Sequence, residues 1–236
     1  MYITNRRLGI FSKQMSYCQF VCLVSIYILI AFNSQFLYKT LIAISQTADL
    51  HWMFMLSIPI LLFSLIVLVL SWFSLIIFVK PILLLNIVIC SFLFYSTFNY
   101  GVIFDKSMLQ NIVETDSSEA FSYLNIQLVI FIFLTGILPS YLFHHLKIKG
   151  NFRAHLTSFI KLNFFALVTC TLIAVPFYED YASVGRNNRQ LTSYITPFAF
   201  YTAGYKYFRD NFLFPPLPFR VLDDSPVLEN KASSSL

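Results

Sequence analysis

The sequence specifies an all-α integral membrane protein of five transmembrane helices, with a short helix in the loop between helices 3 and 4 and an interfacial C-terminal tail. Three observations predict it. Of 236 residues, 58% are hydrophobic and 11% charged, with mean hydropathy +0.71, whereas soluble domains carry about 25% charged residues. The apolar residues are gathered into five runs free of Asp, Glu, Lys and Arg, near the length of about 17–25 residues that crosses a hydrocarbon core. The basic residues are confined to short flanks between those runs, which is topological patterning.

The runs are Ser16 to Leu37, a stretch within Met53 to Val79, Pro81 to Asn99, Tyr123 to Phe143, and Leu162 to Phe177. Lipid offers no partner to an unpaired amide, so each is read as a helix. Arg6, Arg7 and Lys13 precede the first run as they would a signal peptide. Its core is too long, no small-x-small cleavage pattern follows, and four more runs come after, so it reads as an uncleaved anchor. Lys80-Pro81 divides what would otherwise be one overlong run, giving a helical hairpin. Pro59 and Pro139 lie inside runs, where neighbouring helices are expected to satisfy the carbonyls a proline frees.

Lys and Arg fall before helix 1, at Lys80, and between helices 4 and 5 at Lys147, Lys149, Arg153 and Lys161. The positive-inside rule places these segments in the cytoplasm, with the N-terminus. The opposite loops carry Lys39 and Asp49, then Asp105, Lys106, Glu114, Asp116 and Glu119, and face outward. Everything after Phe177 then lies outside, dividing the chain into a transmembrane domain, 1–177, and an interfacial segment and linker, 178–236. Tyr and Phe with scattered Arg and Lys suit a membrane interface. Pro197 followed by Phe198, Tyr201, Tyr205 and Phe208 predicts a short surface helix, and Pro215-Pro216-Leu217-Pro218 a stiff spacer.

Although the formal charge is +5 and the pI about 9.0, no basic stripe exists to neutralise phosphates, so nucleic acid is not an expected partner. Cys18, Cys22, Cys90 and Cys170 sit in apolar runs and read as small hydrophobes, without metal or redox roles. The helices lack the intramembrane charges or inverted repeat of a transporter.

The richest polar segment is Gly101 to Glu119. Ser107 with Gln110, and Asp116 with Glu119, form two capping-box patterns. If one helix runs through the segment, Asn111, Thr115 and Glu119 stand at i, i+4 and i+8 on one face. An amide, a hydroxyl and a carboxylate so aligned suit an ammonium ligand. Spacing alone leaves a solvated, capped connector open, and favours it.

Gly101 to Glu119 resembles the corresponding loop of the lipid A phosphoethanolamine transferases, including the mobile colistin-resistance enzymes. Phe177-Tyr178-Glu179-Asp180-Tyr181-Ala182-Ser183, with Arg186-Asn187-Asn188-Arg189 and Pro197, is similar to that family's segment after its fifth span. The resemblance implies an enzyme of the bacterial inner membrane, its outward loops and C-terminus periplasmic, that moves phosphoethanolamine from phosphatidylethanolamine to lipid A. It implies a donor-headgroup pocket at Asn111, Thr115 and Glu119, with Tyr178 turned toward it. In that family the threonine nucleophile and the zinc ligands belong to a periplasmic hydrolase-like domain that begins about where this chain stops, at Leu236. The expectation for this chain alone is therefore no catalytic residue and no metal site, with zinc in the catalytic domain and no activity without it. The alternative is a non-catalytic membrane lipid-binding or interaction protein, acting with a partner such as a catalytic domain in trans.

Overall fold

The computed structural model describes residues 14–45, 52–74, 79–115 and 125–214. In chain order these form β1 (Gln14–Met15), α1 (Tyr17–Phe32), α2 (Ser34–Ser45), α3 (Trp52–Phe73), α4 (Val79–Tyr100) and α5 (Lys106–Glu114). They continue with α6 (Ile126–Ile132), a π turn (Phe133–Ile137), α7 (Leu138–His144), β2 (Lys147–Ile148), α8 (Phe152–Ala174) and α9 (Tyr178–Asn187). A 3-10 turn (Arg189–Tyr194), α10 (Phe198–Phe208) and a final π turn (Arg209–Leu213) complete the order. Among the described residues, α3, α4, the α6–α7 unit and α8 are each long and apolar enough to cross a membrane. The bent pair α1 and α2 makes a fifth if counted as one span.

The first span differs from the continuous helix expected over Ser16 to Leu37. Its start agrees: Ser16 caps α1 and Gln19 closes a capping box. Its end does not, because the helix stops at Phe32 and the chain turns by 62° into α2. Asn33 causes the break. Its side chain is fully buried: Nδ2 donates to Thr196 O at 2.8 Å and back to Ile28 O of α1 at 3.1 Å, and Oδ1 accepts from Thr196 N–H at 3.0 Å. Sixteen residues rise only about 24 Å, so α1 is a short span.

The fifth span also departs from expectation. The charge-free run starts at Leu162, but α8 begins at Phe152 behind an Asn151 cap, which puts Arg153 and Lys161 inside the helix rather than in the preceding loop. Excluding charged residues from a run discards a helix end that continues beyond the hydrocarbon. In the fourth span the described helix begins at Ile126, capped by Asn125.

α3 is the hub, packing most extensively on α8 and then on α1, while α4 packs along the α6–α7 unit. The core between them includes Phe20, Val24, Ile28, Ile66, Leu70 and Ile87. The α6–α7 unit and α8 bury far less of themselves than α3 and α4, leaving Phe133, Phe164, Phe165 and Leu172 exposed, as lipid-facing helices require. At one end β1 pairs in parallel with β2, Lys80 Nζ donates to His144 O at 2.9 Å, and Tyr17 OH meets Ser74 Oγ at 2.6 Å. Among the described residues, that end gathers Lys80, Lys147 and Lys149. The other carries α2, α5 and the C-terminal helices.

Pro139 explains the π turn. It has no N–H to give Thr135 O, four residues earlier, and the Tyr27 hydroxyl supplies that bond instead, at 2.6 Å. Thr135 Oγ1 meets Ser91 Oγ at 2.7 Å, and Gly136 admits α4 so closely that a Cβ would lie 3.2 Å from Ser91 Cβ. Tyr27→Phe should therefore cost about 0.6–1.7 kcal/mol in equilibrium unfolding in bicelles. In a Pro139→Ala background, where the backbone N–H gained at that position restores the helical bond, the cost of Tyr27→Phe should largely vanish. Equal costs in both backgrounds would show that the two residues are not coupled.

Candidate lipid-headgroup site

The polar surface opposite the basic end is built around α5. Gly101, at φ +66°, terminates α4, its N–H donating to Thr97 O. A left-handed residue here suits glycine and turns the chain back, burying Phe104. The helix that follows is capped two residues before Ser107. Asp105 is its cap, Oδ1 accepting from Met108 N–H at 2.8 Å, so the expected Ser107/Gln110 capping box is not what starts it. Gln110 instead donates to Glu114 Oε1 at 2.8 Å.

The condition for a single row of Asn111, Thr115 and Glu119 is not met by a continuous helix. α5 ends at Glu114, and Thr115 takes extended backbone angles, φ −73° and ψ 132°. Two of the residues are nevertheless brought together. Thr115 N–H and Oγ1 both reach Asn111 O, at 2.8 and 2.5 Å. The threonine proton is committed to that carbonyl, which leaves the hydroxyl oxygen as an acceptor for an incoming donor. Asn111 itself is exposed. Glu119 and the second capping pair lie outside the described residues. Tyr178 opens α9 and is 70% exposed, while α9 is seated on α3 through Tyr181, whose OH meets Ser57 Oγ at 2.7 Å. Burial pushes the Tyr181 phenol above its ordinary pKa.

Other polar residues at this end carry no signal in the sequence. Asn125 Nδ2 donates to Tyr100 OH at 2.7 Å, and its Oδ1 caps α6. Lys106 Nζ lies 2.6 Å from Asp210 Oδ2, and Arg209 Nε 2.7 Å from Oδ1. Residues 104 positions apart leave no spacing to read. Among the described residues no cluster of three or more His, Cys, Asp or Glu is placed to hold a metal.

A family model for phosphoethanolamine transferase EptA/EptB matches residues 62–212. The chain belongs to this phosphoethanolamine transferase family. It is 27% identical over 219 residues to phosphoethanolamine transferase EptA of Escherichia coli strain K12, covering 91% of this chain and 40% of that protein. It is 32% identical over 151 residues to phosphatidylethanolamine transferase Mcr-1 of Escherichia coli, covering 61% of this chain and 27% of that one. Among solved structures, the integral membrane lipooligosaccharide phosphoethanolamine transferase A (EptA) from Neisseria meningitidis is similar with TM-score 0.76 and 25% identity, over 84% of this chain and 37% of the other. The chain thus spans less than half the length of these relatives, and the match covers their membrane region.

In this phosphoethanolamine transferase membrane domain, the contact between α5 and the C-terminal segment includes the Lys106–Asp210 ion pair, whose pH range follows from Asp210. Hydrogen bonds from Arg209 and then Lys106 hold the Asp210 carboxyl down to about 2, from an ordinary 3.8. A lowered folded-state pKa contributes stability that is present above pH 3.8 and lost as the pH falls through about 2. An infrared titration, with Asp210→Asn as the difference reference, should find this carboxylate still ionised at about pH 3 in the folded protein, midway between its folded and ordinary values. Protonation near 3.8 would show that the pair does not form.

Proposed function

We propose that this chain binds phosphatidylethanolamine by its headgroup and presents it, as the membrane domain of a phosphoethanolamine transferase, for transfer of phosphoethanolamine to lipid A in the bacterial inner membrane. The observation that carries the reading is the Asn111–Thr115 pair at the exposed end of α5. A threonine proton committed to the Asn111 main-chain carbonyl leaves an acceptor oxygen one turn from the exposed Asn111, and an ethanolammonium group has three N–H donors to give. Glu119 supplies the countercharge in this proposal, and Tyr178 a wall at the interface. The basic end is cytoplasmic and the α5 end periplasmic, because Lys80, Lys147 and Lys149 are gathered at the former. Nucleophile and zinc belong to the hydrolase-like half of such an enzyme, and the grip on the donor to this one.

The purified chain in nanodiscs containing phosphatidylethanolamine and phosphatidylglycerol should retain phosphatidylethanolamine preferentially in native mass spectrometry. A charge-assisted hydrogen bond contributes about 1.5–3 kcal/mol, so Glu119→Gln should weaken retention about tenfold or more. Thr115→Val should weaken it and Thr115→Ser should not. Retention unchanged in both Glu119→Gln and Thr115→Val would sink the assignment.

A further inference from the structure

Lys106 stands where helix physics disfavours it. It occupies the first turn of α5, directly after the Asp105 cap, and the partial positive charge of a helix N-terminus repels a cation. Asp210, from the turn that follows α10, supplies the compensation. It receives Lys106 on one oxygen and Arg209 on the other, and it sets an anion at the end of α5 where the dipole favours one. One turn along α5, Leu109 faces Gly204 of α10, where an added Cβ would come to 3.9 Å of Leu109 Cδ2. The C-terminal helix thus holds the Lys106 and Leu109 side of α5. Asn111 lies two residues beyond Leu109, about 200° around the helix, and is exposed.

α5 buries none of its own residues. Only Lys106, Met108 and Leu109 are half-buried, so the rotation of α5 depends on what grips that one face. Exposed ion pairs add little to global stability. A carboxylate shared by two cations on two elements instead fixes a direction.

We propose that Asp210 is a positioning residue, which clasps Lys106 to set the rotation of α5 and so the presentation of Asn111 and Thr115 to an aminoethyl phosphate headgroup. The inference rests on the donor-site reading above. It assigns the C-terminal helix a part in donor binding without any contact to the donor.

The test is calorimetric titration of dihexanoyl phosphatidylethanolamine into the whole chain in detergent, with dihexanoyl phosphatidylglycerol as the headgroup control. Asp210→Asn and Lys106→Met should each weaken phosphatidylethanolamine binding about three- to fivefold, the size of a lost ion pair. The double variant should be no weaker than either single one, and Lys106→Arg should bind as the parent does. Binding of the phosphatidylglycerol control and the thermal unfolding midpoint should not move. If both lipids weaken together with a lowered midpoint, the pair is merely structural and the proposal is overturned. If Asp210→Asn binds as the parent while Thr115→Val is weakened, the donor site stands and the positioning role fails. If Thr115→Val also binds as the parent, the donor-site reading itself fails, and this one with it.

Discussion

The arrangement depends on one buried amide. Asn33 sits at the end of α1 with no solvent exposure, and its side chain pairs with both backbone groups of Thr196 as one strand pairs with another. An unpaired amide there would cost about 1–3 kcal/mol per lost group, with no water at hand to reduce it. The pairing is therefore close to obligatory once the chain is folded. It ends α1, bends the chain by 62° into α2, and stitches the residues before α10 to the top of the first span. Lys39 of α2, 4.7 Å over the Tyr194 ring, adds a second tie between the same segments. With Thr196 fixed, α10 starts from a set point, and its far end arrives beside α5. The geometry of the polar surface is thus inherited from a residue deep in the bundle.

The same constraint runs through the interior. Ser71 Oγ donates to Asn163 Oδ1 at 3.1 Å between α3 and α8, and Tyr17 OH reaches Ser71 O and Ser74 Oγ. Ser57 meets Tyr181, Ser91 meets Thr135, and Tyr27 satisfies the carbonyl that Pro139 orphans. Each contributes modestly to association, because an unfolded chain in a bilayer also finds partners. Their value is in register. Between uniformly apolar helices many rotations bury similar area, whereas a hydroxyl and its acceptor meet at only one.

The spans were legible from run length because the cost of charge in hydrocarbon is steep and local. So was a helix after Pro197, although its Phe198 and Tyr201 pack against the bundle rather than marking a surface face. The bend at Asn33 was hidden because an asparagine within an apolar run is neutral to a count of charges, and its partner lies 163 residues away. Arg153 and Lys161 misplaced the start of α8 for the converse reason, that a helix outlasts the membrane it crosses. At the candidate site, Asn111 and Thr115 were visible as residues, but their relation was not. Periodicity carries the helix through Thr115, whereas the chain leaves helical angles there, with the Thr115 N–H and hydroxyl sharing the Asn111 carbonyl.

The end of α5 at Thr115 bears on what the site can do. A hydroxyl on a continuous helix would also bond back along its own turn, but the backbone beyond it would stay committed to helical bonds. At Thr115 the helix has ended, its N–H and hydroxyl both donating to the Asn111 carbonyl. Helix C-termini concentrate partial negative charge, and α5 directs that end, with Glu114 in its last turn, away from its Lys106 anchor. The cationic anchor at one end and the acceptor-rich terminus at the other make α5 a polarised element. Its C-terminal end combines the negative pole of the helix dipole, the exposed Asn111 and the Thr115 hydroxyl oxygen.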